Sequence, residues 1–596
     1  MEVCIHSNLQ TVQGEVTVEV DDEDKIDYLI SAFCTQKNIR RKKQYVLRNV
    51  NDDILPSVRK LSSCGVKNGD VLYLGLKTPS STEWPCGCNQ WWLLAVIVLI
   101  IGAVGLVTVT LTVTERETLY DYGVVLDAGS SHTQLFVYQW EAGKVNGTAV
   151  AQQIHTCKAQ GGGISNYTQN PEGAGHSLVP CLTEAQTKVP VSSHSTTPIW
   201  LGATAGMRLL RESDNDTCNK ILASVRGEMK KTPFSFPNPL RGARILDGWE
   251  EGVFSWITVN YLTGNFGQFT VRLTPAQLWS QSPTTDGAMD MGGASTQMTF
   301  VAADSRNTSS LRLYGQDYHV YTHSYLCYGF NEAFRKYRAL LVKSKTSSSV
   351  ISDPCLPKGD NDTLTYSDIF EVPCTIGLAP NGTKPKTYTF TGSGDPAACL
   401  AAVDKMFDFT CKRQGPPCSF NGVYQPAIQG DYVAFAGFYY LLAALTGTST
   451  NISYSQFRVA ANDSCENGTS YKVVGELQND ALENMQSGVC FKSQYVFTLL
   501  TNGYGFNEDN WDRLHFQKSV MGQTTDLGWT LGLMLNASNA IPAELPTASM
   551  SIGVYVLLVL LFVAFIILSV GFACHARNNA RSEVIPHQRL STYGAV

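Results

Sequence analysis

The chain has 596 residues, with 45 Lys+Arg against 51 Asp+Glu for a net charge of -6, and 44% of it is hydrophobic. So long a chain exceeds one ordinary core and predicts several domains. So mild a charge gives no basis for a nucleic-acid partner.

Residues 1–77 read as a small separate domain. Strands are expected at Met1–Ser7 and Gly14–Val20, then a helix over Asp24–Asn38 with Ile26, Leu29, Ile30 and Phe33 at helical spacing, then strands at Tyr45–Arg48 and Asp70–Leu76. The order β-β-α-β-β and the closing L-S-S-C-G-V-K-N-G-D-V-L-Y-L-G-L-K resemble a ubiquitin-like, α+β β-grasp domain. No Gly-Gly tail follows, so covalent conjugation is not expected. A binding or regulatory module with a cytoplasmic partner and an inert extension both stay open.

Residues 78–90 form a Pro/Ser/Thr linker containing Cys86 and Cys88, which suit either palmitoylation or ordinary reduced thiols. Residues 91–113 are uncharged, open with Trp91 and Trp92, and are rich in Val, Ile and Leu; residues 552–574 are equally uncharged. Both exceed the roughly 20 residues that cross a bilayer. The first lies too far into the chain for a cleaved signal peptide and reads as a retained anchor.

Charge and glycosylation orient these spans. The tail 575–596 carries Arg577, Arg581 and Arg589 against Glu583, whereas the far side of the first span opens with Glu115, Glu117 and Asp121 against Arg116. Both termini are therefore expected on the cytoplasmic side. The Asn-x-Ser/Thr acceptors, from Asn146 to Asn536, all lie between the spans, as an extracellular or luminal domain over 115–550 requires. An odd number of cysteines lies there too, from Cys157 to Cys490, with no C-x-x-C pair among them. Disulfides are expected rather than zinc, and their connectivity stays open.

Within the central region one phrase occurs twice. Residues 124–137 read V-V-L-D-A-G-S-S-H-T-Q-L-F-V and residues 288–300 read A-M-D-M-G-G-A-S-T-Q-M-T-F, so that Asp127 meets Asp290, Gly129 meets Gly292, Thr133 meets Thr296 and Gln134 meets Gln297. Each copy is an apolar strand, a tight Gly/Ser turn and a second apolar strand. Glycine lets backbone N–H groups approach a ligand, and a concave run of them is an anion nest. An Asp closing the first strand suits a hard divalent cation. Two facing nests with one carboxylate each make a clamp for a metal-bound polyphosphate.

Between the copies, residues 199–210 (I-W-L-G-A-T-A-G-M-R-L-L) run from a strand through a small-residue turn into a helix, a backbone-rich anion site. Residues 245–262 (I-L-D-G-W-E-E-G-V-F-S-W-I-T-V-N-Y-L) predict a helix with Val253, Trp256, Ile257 and Tyr261 on one face and Glu250 and Glu251 at its start. Those carboxylates are either dipole complements or, for one of them, a general base aimed at a water. Residues 301–420 read as an elaboration of the second lobe rather than as catalytic core. The apolar run Tyr432–Leu445 is too short to span a membrane and reads as a buried helix after a loop. Tyr424 in that loop suits stacking on a nucleobase or ordinary packing.

The phrases D-A-G-S-S-H-T, L-G-A-T-A-G-M-R, D-G-W-E-E-G-V-F-S-W-I-T-V-N-Y-L, M-D-M-G-G-A-S-T-Q and F-N-G-V-Y-Q-P, in this order, resemble the ecto-nucleoside triphosphate diphosphohydrolases, the membrane apyrases. With the two spans and G-W-T-L-G-L-M-L-N near the end, the resemblance covers nearly all of 115–575. It implies an α/β fold of two RNase H-like lobes, of the actin, heat-shock-protein and sugar-kinase superfamily, with lobe I at about 120–247 and 515–550 and lobe II at about 248–514. It implies stepwise hydrolysis of nucleoside tri- and diphosphates with Ca2+ or Mg2+. By position, Gly129, Ser130, Ser131, His132 and Thr133 form one phosphate cradle and Gly292, Gly293 and Ala294 the other. Asp127 and Asp290 hold the metal through water. Thr204, Ala205, Ser295 and Gln297 hold the attacking water, Glu251 is its base, and Tyr424 contacts the nucleobase.

The family framework also pairs Cys157 with Cys181, Cys327 with Cys374, Cys355 with Cys399, Cys411 with Cys418 and Cys465 with Cys490, leaving Cys218 over. After C-Y-G the family's surface enzymes carry a basic residue where this chain has Phe330, which leaves base preference open. The expected location is the plasma membrane with the site outside, or else the luminal face of an internal membrane. Two spans leave room for a homo-oligomer. A receptor that binds nucleotide without hydrolysis and signals through residues 1–77 is the competing reading.

Overall fold

The computed structural model describes residues 1–10, 12–77, 90–114, 119–266, 285–303, 307–344, 348–381, 385–414, 417–447, 451–467, 485, 488–520, 525–543 and 552–581. Cys86, Cys88 and the juxtamembrane residues Glu115, Arg116 and Glu117 lie outside the described residues. The chain divides into two units, Met1–Thr114 with Met550–Val596, and Glu115–Ser549.

The N-terminal part of the first unit is a five-stranded sheet of order β2-β1-β5-β3-β4, from β1 (Glu2–Leu9), β2 (Val12–Glu19), β3 (Tyr45–Arg48), β4 (Ile54–Leu55) and β5 (Val71–Leu76). Strands β1 and β5 run parallel and the other pairs antiparallel. Alternation explains the core: Val3, Ile5, Val16, Val18, Leu72 and Leu74 point inward against Ile26, Leu29, Ile30 and Phe33 of the Ile26–Gln36 helix. The helix begins at Ile26, after Lys25 as N-cap, rather than at Asp24.

Two helices of this unit, Gln90–Thr114 and Ile552–Arg581, are long and apolar enough to cross a membrane. The second runs past the expected end at Cys574. They pack together where glycine leaves room: a Cβ on Gly102 would lie 2.8 Å from Ile566, and one on Gly105 2.1 Å from Phe562. The Trp91 ring meets His575 edge-on at 4.8 Å.

The second unit holds two sheets built alike. The first has order β10-β9-β6-β7-β8, from β6 (Tyr120–Ala128), β7 (Thr133–Glu141), β8 (Ala151–Lys158), β9 (Ile199–Ala203) and β10 (Ala243–Ile245). The second has order β13-β14-β12-β11-β18-β19, from β11 (Gly287–Met291), β12 (Ser295–Val301), β13 (Thr308–Leu313), β14 (Gln316–Leu326), β18 (Tyr432–Ala436) and β19 (Leu514–Phe516). In each, an antiparallel hairpin is flanked by an antiparallel strand on one side and parallel strands on the other. The repeated phrase keeps its register: Asp127 faces Gln134 across β6/β7 as Asp290 faces Gln297 across β11/β12. A separate three-stranded sheet has order β15-β17-β16, from β15 (Val350–Asp353), β16 (Asn361–Thr365) and β17 (Thr387–Gly392).

The run Tyr432–Leu445 is not one helix. Its first five residues form β18, and a helix starts at Gly437 after Ala436 at φ 53°. Both halves are buried, so hydrophobicity alone could not separate them; Tyr432, Val433 and Phe435 favour a strand beside β11. β19 adds to the second sheet beside β18, so that sheet draws on the chain as far as Phe516.

The Gly248–Leu262 helix is also more enclosed than a one-faced pattern predicts: every residue from Glu251 to Asn260 is buried. It packs on β11, β12 and β14 on one side and on the Trp529–Ser538 helix on the other. There a Cβ on Gly532 would lie 1.9 Å from the Phe254 carbonyl oxygen, and the Gly532 N–H donates to Thr258 Oγ1 at 2.9 Å. Gly532→Ala is expected to push the two helices apart and destabilise the unit by about 1–3 kcal/mol, read as a lowered melting temperature. An unchanged melt would refute this contact as a packing constraint.

Among the described residues the disulfides are Cys157–Cys181, Cys327–Cys374, Cys355–Cys399, Cys411–Cys418 and Cys465–Cys490. Cys218 is buried and reduced.

Candidate active site

The two repeated hairpins meet. A Cβ on Gly293 would lie 2.7 Å from Ser130 Oγ, so any side chain there would wedge between the turns. Both turns are equally tight: a Cβ on Gly129 would lie 3.1 Å from the His132 carbonyl, and one on Gly292 3.2 Å from the Ser295 carbonyl. The Gly292 N–H donates to that Ser295 carbonyl at 3.0 Å, and the Phe330 and Asn331 N–H groups donate to the Gly292 and Gly293 carbonyls. Thr133 and Thr296 are buried, Thr296 Oγ1 donating to the Asp290 carbonyl at 2.6 Å, which fixes the strand ends.

Ser131 and His132 are exposed at the tip of the first turn, with Ser131 Oγ 3.0 Å from His132 Nδ1. The 199–210 segment closes the floor: Thr204 N–H donates to the Ala128 carbonyl, and a Cβ on Gly206 would lie 3.0 Å from Ser130 Cα. Ala205 and Leu209 then pack on Ala294 of the second turn. Three pieces of backbone separated in sequence thus converge on one point.

A polar network lines the same place. Glu251, in the first turn of its helix, pairs with Arg208, and both are buried. Gln297 Nε2 lies 3.0 Å from Glu251 Oε2, 2.7 Å from Ser295 Oγ and 2.9 Å from Ser324 Oγ, three acceptors shared by its two N–H bonds. Arg208 also reaches Ser295 and Ser324. The register accounts for this: Asp290, Gln297 and Ser324 are cross-strand neighbours in one row over β11, β12 and β14. Glu250, beside Glu251, turns away to a bidentate pair with Arg244 and closes a capping box with Asp247. Of the two carboxylates one is structural and the other joins the network.

Charge is unbalanced here. Burial raises the Glu251 carboxyl above its usual range, with Arg208 opposing. Burial, with repulsion from Glu251, pushes Asp127 up to about 8. Asp290 is held well above its usual range by burial and by Glu251 and Asp127. Ionised together, these three carboxylates would face one guanidinium, and Asp127 Oδ1 is buried without a hydrogen-bond partner among the described residues. Hard oxygen donors with surplus charge fit a divalent cation.

Arg208 and Ser324 were not among the sequence-derived site residues. Arg208 closes L-G-A-T-A-G-M-R, where a buried helical position holding Arg was the available signal. Ser324 lies in β14, inside the region read as peripheral; a period-2 strand there places Thr322 and Ser324 on one face. Trp529, whose buried indole Nε1 has no hydrogen-bond partner among the described residues and whose side chain partly offsets the rise at Asp127, was likewise unassigned. Tyr424 stands apart from this network: half-buried, it meets Tyr321 edge-on at 6.3 Å and its carbonyl accepts from the Tyr321 hydroxyl. Phe330 is buried in a hydrophobic cluster against Tyr495.

The profile of the GDA1/CD39 (nucleoside phosphatase) family matches residues 113–550. The chain is similar to ectonucleoside triphosphate diphosphohydrolase 3 of Mus musculus, 38% identical over 503 residues, or 82% of this chain and 93% of the relative. It is also similar to ectonucleoside triphosphate diphosphohydrolase 8 of Gallus gallus, 43% identical over 430 residues, or 71% and 84%. Among solved structures, the nucleoside triphosphate hydrolases from Neospora caninum share its fold, with a TM-score of 0.51 at 15% identity over 74% of this chain and 96% of that chain.

Proposed function

From the premise that the chain belongs to the GDA1/CD39 nucleoside phosphatase family, we propose that it is an ecto-nucleotidase. It cleaves nucleoside tri- and diphosphates, among them ATP, ADP, UTP and UDP, to monophosphates and phosphate. The observation that carries this reading is the buried carboxylate Glu251, tied to Ser295 and Gln297 where two register-matched hairpins meet.

In this reading the hairpin amides from Gly129 to Thr133 and from Gly292 to Ala294, with Ser130 and His132, cradle the phosphates. Fixed donors suit the charge that spreads over the outer oxygens in phosphoryl transfer. Ser295 Oγ already accepts from Gln297 and Arg208, so its own proton is left to donate into the cleft, towards a water that Thr204 and Ala205 also hold. That water's oxygen bonds to the terminal phosphorus as the bridging P–O bond breaks, its proton passes to Glu251, and the electron pair leaves with the shorter nucleotide. Family members depend on divalent cations; Ca2+ or Mg2+, held through water by Asp127 and Asp290, would neutralise the phosphate charge. Ser324 and Arg208 are positioning residues. Ser324→Ala is expected to lower kcat about tenfold at nearly constant KM, since it loosens Gln297 and leaves the phosphate cradles intact.

The two sheets support an assignment to RNase H-like lobes of the actin and sugar-kinase superfamily. The N-terminal sheet and helix support a β-grasp module. Charge flanking the spans and the glycan acceptors support cytoplasmic termini and a site outside the plasma membrane. The competing receptor is disfavoured because the base Glu251 and the water-holding Ser295 and Gln297 are joined in one network.

Phosphate release by intact cells given ATP or ADP with calcium tests the proposal. Release abolished by a chelator is expected. Correctly surface-displayed protein that binds nucleotide and releases nothing would overturn it.

A further inference from the structure

Residues 1–77 carry as many basic as acidic side chains, but the fold distributes them unevenly. Asp21, Asp22, Glu23 and Asp24 precede the Ile26–Gln36 helix, and Lys37, Arg40, Arg41, Lys42 and Lys43 follow it. Arg41 folds back onto Asp27 and Ser31. Arg40, Lys42 and Lys43 are exposed and have no carboxylate partner among the described residues. Lys25, Arg59 and Lys60 accompany the acidic run, Lys60 pairing with Glu23, so what a domain with no net charge leaves uncompensated is the basic patch at 40–43.

The basic patch lies at the chain's exit. The Lys77 N–H donates to the Gln44 carbonyl at 2.7 Å, and Tyr45 pairs with Leu76 across β3/β5. The point where the chain leaves for the first span therefore sits beside the basic loop 40–43. The acidic run sits at the other end, where Met1 bonds the Val20 carbonyl and β5 begins next to Glu2. Twelve residues, 78–89, separate Lys77 from the span beginning at Gln90; fully extended they reach at most about 40 Å. A bilayer is thus held near the basic loop at high effective concentration.

We propose that the 40–43 loop docks residues 1–77 onto the anionic headgroups of the cytoplasmic leaflet that the chain itself spans. This rests on the reading that the N-terminus is cytoplasmic. Basic side chains near such a leaflet are attracted to it within a Debye length of about 10 Å or less at physiological salt, and the place of the patch at the chain's exit orients the domain loop-down. No apolar anchor is needed, so the contact is electrostatic and reversible.

The test is hydrogen–deuterium exchange of the full-length protein in nanodiscs of phosphatidylcholine, with and without phosphatidylserine. Amides of residues 38–44 are expected to exchange about tenfold more slowly with the anionic lipid, while those of 20–27 do not change. High salt and the triple variant Arg40→Glu/Lys42→Glu/Lys43→Glu, which spares Arg41 and the core, should both abolish the difference. Equal exchange in the two nanodiscs overturns the docking, as does protection that survives charge reversal or that needs added RNA or cytosolic protein. Cleavage of the N-terminal domain by protease outside sealed cells would sink the topology together with docking in the cell, whereas equal exchange in nanodiscs sinks docking alone.

Discussion

Glu251→Gln is expected to lower kcat for nucleotide hydrolysis by about 10²–10⁴-fold, the usual contribution of a positioned general base, with nucleotide affinity little changed. The amide is isosteric and its oxygen still accepts from Arg208 and Gln297, so the network keeps its shape while losing the proton acceptor. Arg208 supplies the complementary test. It opposes the burial that raises the Glu251 carboxyl, so Arg208→Met should raise that carboxyl further. The acidic limb of the pH–kcat profile should then move to higher pH, because Glu251 must be ionised to take a proton. Breaking a buried pair also destabilises by roughly 3–5 kcal/mol, so the profile must be measured on the folded fraction. A Glu251→Gln variant with near wild-type kcat would remove Glu251 from the chemistry. An unmoved profile in Arg208→Met would limit Arg208 to packing.

How much of this could be read from the sequence depended on whether a pattern was local. The repeated phrase was legible because each copy encodes its own hairpin, and the duplicated Asp–Gln register across β6/β7 and β11/β12 follows directly from it. Glu251 stood out from Glu250 only through the family resemblance, because both occupy a first helical turn where any carboxylate is favourable. What separates them is tertiary: Arg244 claims Glu250, and the sheet closes over Glu251. Arg208 and Ser324 reach the site from a helix and an outer strand, and no spacing along the chain announces that they converge. The strand–helix break at Ala436 was hidden for another reason. Its two halves are equally apolar, and only the parallel pairing of β18 with β11 settles the first half as a strand.

Asp127→Asn should make the protein more stable without metal and inert with it. Burial, with repulsion from Glu251, pushes Asp127 up to about 8 in the folded protein without metal, against 3.8 ordinarily. Between roughly pH 4 and pH 8 the folded state therefore holds a proton that the unfolded chain has released. Stability falls with rising pH wherever the folded state binds more protons, so in chelator the wild-type melting temperature should drop from about pH 5 to pH 8 and level off above. The raised carboxyl of Asp290 acts in the same direction. A bound divalent cation displaces these protons and stabilises by mass action, so calcium should raise the melting temperature more at pH 8 than at pH 6. In Asp127→Asn one buried charge is gone: the decline in chelator should flatten, the melt at pH 8 should rise by a few degrees, and the gain from calcium should shrink together with phosphate release. Thermal melts of wild type and variant across that pH range, with and without calcium, measure all of this. A wild-type melt in chelator that does not fall with pH, or a variant that keeps the full calcium gain, would show that Asp127 is neither the strained carboxylate nor a holder of the metal.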